Sequence, residues 1–253
     1  MPPILLTYEQ ILLLSFAGGI LPALLWLWFW LKEDAKNPEP RTLVILAFLG
    51  GMITALAVIP IEKNIFLIAS KILGLAGMSY DAAFAQYPYL MVLFAGAEEI
   101  FKYFAVALIA LSSRYFDEPV DALVYLITVA LGFAAMENSL YLLDTITHSG
   151  LLFGIMNGHL RFIGATLLHV ASSALIGVAL GLAFYKSFGV RFVAGFVGLV
   201  AAIALHTGFN FSIIQAQSVG DALGIFAIFW AIIVGIILIF EKVKRIYPVE
   251  PIS

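Results

Sequence analysis

The chain predicts an all-α fold, a polytopic bundle of seven or eight transmembrane helices forming one integral membrane domain over residues 1–253. Three observations carry this. Hydrophobic residues make up 63% of the chain and charged residues 11%, where soluble domains carry about 25% charged residues. Mean hydropathy is +1.06, and no soluble domain of 253 residues could bury that much apolar surface. The apolar residues also fall into runs of about 20, the length that crosses a bilayer as a helix.

The spans follow in order. The first covers residues 11–31 and ends in Trp26, Trp28 and Trp30, which suit an interfacial aromatic belt. The run is too long for a signal-peptide core and lacks a basic flank, so it is expected to be retained. A polar loop over residues 32–41 leads to the second span, 42–61. Residues 62–86 read as an interfacial or re-entrant helix, with an eighth span as the alternative, because Lys71 and glycines interrupt the apolar run. The third span, 88–111, starts at Pro88, a residue suited to a first helical turn. The fourth covers 121–143, the fifth 161–185, the sixth 192–212 and the seventh 222–240.

Nine lysines and arginines follow the odd-numbered spans: Lys32, Lys36, Arg41, Arg114, Lys186, Arg191, Lys242, Lys244 and Arg245. Only Lys63, Lys71 and Arg161 lie on the other side. The positive-inside rule then places the N-terminus outside and the C-terminus in the cytoplasm; the membrane itself is expected to be a bacterial or archaeal cell membrane. With no cysteine in the chain, disulfides, a cysteine nucleophile and thiolate metal sites are excluded.

A few ionisable residues fall within the spans: Glu98, Glu99 and Lys102 on the third, Glu137 on the fourth, His169 on the fifth and His206 on the sixth. Such groups at membrane depth are costly and default to a functional role. At 1.5 Å per residue Glu98 lies about 15 Å, Glu137 about 9 Å and His169 about 12 Å from the outer ends of their spans, and His206 is about six residues deep. Four helices thus bring polar groups to similar depths, which a single water-accessible site toward the outer half explains. Lys102 stands four residues after Glu98 and three after Glu99, so it can neutralise part of the pair. Asn210 shares a face with His206. Adjacent carboxylates in low dielectric titrate as a coupled unit. Such a group can take a proton from water and return it to a leaving amine. Two histidines and an asparagine could bind a developing oxyanion, or two histidines and a carboxylate could hold Zn²⁺ with an open position. Both schemes describe peptide hydrolysis inside a membrane.

The bland readings are an ion pair tying helices together for Glu98, Glu99 and Lys102, an interhelical hydrogen bond for Glu137 and Asn138, and snorkelling at an interface for Arg161. Gly177 and Gly181 fit close helix packing, and His148 and His159 a solvated loop. No HExxH or GxSG motif occurs, and Tyr80-Asp81 with Gly220-Asp221 only faintly resembles an aspartyl site. A proton-coupled transporter or channel is the competing class, although it usually shows internal repeats, and none is evident here.

The segments AEEIFK (97–102), FAAMEN (133–138), Arg161 with His169, and HTGFN (206–210) resemble, in order, the motifs of the PrsW family of intramembrane proteases, related to the CAAX prenyl endopeptidase and bacteriocin-processing superfamily. FDEPVDALVY (116–125) resembles the family as well. The resemblance implies a catalytic core over about 88–212 and cleavage of a single-span membrane protein. In the family's name-giving member that substrate is an anti-sigma factor cut near the outer face. It further implies Glu98 or Glu99 as general base, His169 and His206 as site histidines and Asn210 as an oxyanion donor, with Lys102, Glu137, Asn138 and Arg161 in support. The cofactor expectation is none or Zn, held by Glu98, Glu99, His169 or His206, since relatives are described both as metalloproteases and as glutamate proteases. Expected partners are membrane lipid and a single-span membrane protein, with no nucleic acid.

Overall fold

The computed structural model describes residues 6–33 and 38–247, with helical backbone alone at 33 and 157–163. All the regular structure among these residues is helical: α1 (Tyr8–Glu33), α2 (Arg41–Leu73), α3 (Tyr80–Gln86), α4 (Tyr89–Val106), α5 (Asp121–Ser149), α6 (Leu151–Arg161), α7 (Leu167–Leu182), α8 (Phe188–Gln215) and α9 (Val219–Val243). Two five-residue π-helical turns extend this set, Ala107–Leu111 after α4 and Phe162–Thr166 between α6 and α7. Arg161, a supporting residue in the sequence reading, closes α6, and its side chain lies outside the described residues.

Six helices among the described residues are long and apolar enough to cross a membrane. This corrects the expected seven or eight, for two physical reasons. The third predicted span forms as a helix, α4, but its 18 residues carry Glu98, Glu99 and Lys102, too many charges for an ordinary apolar span. Residues 62–73 of the unclear stretch do not form a separate interfacial or re-entrant helix, and only α3 at its end is separate. α2 runs unbroken through Pro60 to Leu73, a length of about 50 Å, and ends at Gly74, whose φ of 71° only glycine adopts readily. Proline is tolerated within a membrane helix where neighbouring groups satisfy the backbone. Pro60 lacks the N–H that would bond the Leu56 carbonyl, and the helix nonetheless continues to Leu73.

α5 is the central element. Its apolar stretch is 89% buried, against 17% for α8, and a helix that is apolar all round is suited to burial on every side. α1, α2 and α7 pack around it. The crossing with α2 is made by glycines: a Cβ on Gly51 would meet the Val129 carbonyl oxygen at 2.0 Å, and one on Gly132 the Phe48 oxygen at 1.9 Å. The backbones therefore touch, which sets Phe133 and Glu137 against the α2–α4 side. Gly177 and Gly181 meet Leu123 and Pro119 in the same manner, so they serve close packing, as expected. The outer helices show leucine, isoleucine, valine and phenylalanine to the surroundings, including Leu13, Ile53, Phe196 and Leu238. That surface is stable only in lipid, and the chain is a multi-pass membrane protein.

Candidate active site

Glu98 and Glu99 sit mid-way along α4, and their adjacency sends the two carboxylates in different directions. Glu99 is fully buried. Its Oε1 accepts from Lys102 Nζ at 2.6 Å and from His206 Nδ1 at 2.8 Å, and its Oε2 accepts from Ser173 Oγ at 3.3 Å. Lys102 is also fully buried; its ammonium lies 3.1 Å from His169 Nδ1 and 4.7 Å from the centre of the Phe133 ring. The pair costs desolvation on both sides, and these short contacts are what make it tolerable.

The π turn at Phe162–Thr166 widens the helix just ahead of His169, a distortion frequent at functional sites. It presents Thr166 to Asn138, whose Nδ2 donates to Thr166 Oγ1 at 2.9 Å. One turn on, His169 Nε2 donates to Glu137 Oε2 at 2.6 Å. Carboxylates accept only, so Glu137 and Glu99 place a proton on the outer nitrogen of His169 and His206 respectively. Each ring is left with a lone pair on its other nitrogen. These two nitrogens, His169 Nδ1 and His206 Nε2, stand 3.7 and 3.8 Å from Glu98 Oε2. That oxygen is buried and has no hydrogen-bond partner among the described residues.

The three donor atoms lie within 4.8 Å of one another. An orphaned carboxylate oxygen beside two ring nitrogens, each ring held by a carboxylate, matches the way metal-binding histidines are oriented. The residues present therefore fit a divalent metal. Glu99, also expected as a candidate ligand, is committed to Lys102, His206 and Ser173 instead.

Of the residues singled out from sequence, Glu98, Glu99, Lys102, Glu137, His169 and His206 converge. Asn138 is linked to Thr166, and its Oδ1 has no partner among the described residues. Asn210 is half-buried one turn beyond His206, with no side-chain hydrogen bond among the described residues. His148 is exposed and paired with Asp144 at 3.2 Å. Asp221 caps α9 through Ser218, an ordinary helix-start role.

Sequence reasoning missed Glu62. Its carboxyl is within hydrogen-bonding reach of Glu98 and close to Glu137, and it is half-buried. Ending the second span at residue 61 left Glu62 at the start of the stretch expected to be interfacial or re-entrant, outside the spans whose ionisable residues were singled out. The apolar run from Ile65 to Leu73 was the signal that the helix continues past it.

A model of the PrsW family intramembrane metalloproteases matches residues 39–239. Protease PrsW of Geobacillus kaustophilus is 30% identical over 220 residues, covering 85% of this chain and 87% of that protein. Protease PrsW of Bacillus subtilis is 29% identical over 202 residues, covering 77% and 80%. No solved structure matches the chain. The matched region holds every residue that converges on Glu98, and the chain belongs to the PrsW family of intramembrane metalloproteases, as a peptide hydrolase of the membrane.

Proposed function

We propose that this protein cleaves a peptide bond of a single-span membrane protein at the cluster around Glu98, within a catalytic core of about residues 88–212. The observation that carries the reading is Glu98 Oε2, without a hydrogen-bond partner among the described residues, beside two oriented histidine lone pairs. Glu98, His169 and His206 would hold a metal such as zinc, which when bound polarises the scissile carbonyl and acidifies water. Glu137 and Glu99 keep the two imidazoles in the required tautomer and orientation. Glu137 is one-third exposed, and with half-buried Glu62 it forms the acidic side of the cluster that water can reach. These two carboxyls are placed to take the proton of the attacking water and return it to the leaving amine. Asn210, one turn after His206 on α8, is the expected oxyanion donor. The orientation read from the basic residues, with the termini on opposite sides and the site toward the outer face, requires α4 to cross the membrane together with the six apolar helices.

A second reading has one observation in its favour. The Lys102 ammonium already neighbours His169 Nδ1, so the cluster carries a cation of its own, and Glu98 acts on water directly.

The test is cleavage of a tagged single-span membrane protein in proteoliposomes. Glu98→Gln, His169→Ala and His206→Ala are each expected to abolish it. Cleavage unchanged in all three would remove the assignment of the site. Proton-coupled uptake lost in the same variants, without any cleavage by the unaltered protein, would favour a transporter.

A further inference from the structure

We infer that Lys102 is a built-in competitor for the metal, so that its ammonium and a divalent cation alternate at His169 Nδ1. The inference rests on the metal-holding reading above and goes beyond it by naming what controls occupancy.

The geometry leaves little room for both. Of the two nitrogens of His169, Nε2 is committed to Glu137 at 2.6 Å. The other, Nδ1, faces Glu98 Oε2 at 3.7 Å and belongs to the donor triad. It is also the atom to which Lys102 Nζ donates at 3.1 Å. A neutral imidazole nitrogen has one lone pair in the ring plane. It can accept from an ammonium or bind a metal, but not both. Lys102 is fully buried, so its charge acts on the triad without water between them.

The lysine is held, not merely nearby. Glu99 Oε1 fixes the ammonium at 2.6 Å, and the Phe133 ring lies beneath it at 4.7 Å. Glu99 also accepts from His206 Nδ1. One carboxylate thus anchors both the competing cation and one of the candidate ligands. Metal entry requires the Lys102–His169 contact to break while the Glu99–His206 contact stays. The Lys102 side chain has four methylenes over which to withdraw toward Glu99. In this arrangement Lys102 is a positioning residue: it keeps the His169 lone pair satisfied when no metal is bound, and it lowers metal affinity.

The experiment is a Co²⁺ titration of the full chain in lipid nanodiscs, followed by the visible absorption of the bound ion. Four proteins are compared: unaltered, Lys102→Met, Glu99→Gln, and Glu99→Gln with Lys102→Met. Methionine matches the length of the lysine stem without its charge. The last pair removes the lysine from a background in which no buried carboxylate is left unpaired, so a folded protein is available for the comparison. Lys102→Met is expected to tighten Co²⁺ binding by about tenfold or more in either background. His169→Ala added to Lys102→Met should abolish that gain. Equal or weaker binding on removing Lys102 in both backgrounds would overturn the inference and leave the metal-holding reading intact. Absence of Co²⁺ binding in all four proteins would overturn the metal-holding reading, and the inference with it.

Discussion

Removing both halves of the Glu99–Lys102 pair should cost far less than the summed cost of removing each alone. The two side chains are fully buried and 2.6 Å apart. Replacing Glu99 by Gln keeps an acceptor for His206 but leaves the Lys102 charge without its counter-charge. Replacing Lys102 by Met leaves the Glu99 carboxylate with only His206 and Ser173. Breaking one side of a buried ion pair typically costs about 3–5 kcal/mol, because the remaining charge stays desolvated. The double variant removes both charges and fills the space with groups of similar size. It should cost no more than about 4 kcal/mol, where simple addition gives about 6–10 kcal/mol. The measurement is a double-mutant cycle on unfolding in mixed micelles, with loss of helicity as the signal. A double variant whose cost equals the sum of the singles within about 0.5 kcal/mol would refute the pairing.

Three further outcomes are expected. Glu137→Ala should weaken divalent-metal binding by about 10- to 100-fold, because His169 loses the acceptor that fixes its tautomer; isothermal titration with Zn²⁺ checks this, and unaltered affinity would refute it. Glu62→Gln should lower the cleavage rate at saturating substrate by about 100-fold or more with metal stoichiometry unchanged, as for loss of one proton-transfer group; a rate equal to that of the unaltered protein would remove Glu62 from the chemistry. Gly132→Leu should prevent α2 from seating on α5, since even a Cβ there meets the Phe48 oxygen at 1.9 Å; a monodisperse, normally helical variant on size exclusion would show that the crossing is looser than described.

Much of this protein was written in local chemistry. Apolar runs of membrane length, the adjacent Glu98 and Glu99, and the spacing of Lys102, Glu137, His169 and His206 were enough for the fold class and for the convergence of one site. Burial of a charge is costly in any context, so ionisable residues in apolar runs are legible without a structure. Helix boundaries were less legible. Whether α2 stops at residue 61 or continues past Pro60 is decided by tertiary packing and not by the local sequence, and Glu62 was lost to the site for that reason. The different employment of Glu98 and Glu99 was also out of reach. Adjacent residues point about 100° apart on a helix, and which of them meets Lys102 and which is left facing two histidines is decided by where α7 and α8 lie. Sequence by itself determined that this chain is a membrane helix bundle with an acidic, histidine-bearing centre. Only tertiary packing, through the glycine-mediated contact of α2 with α5 and the π turn before His169, decided which oxygen of that centre is unpartnered and which nitrogen Lys102 holds.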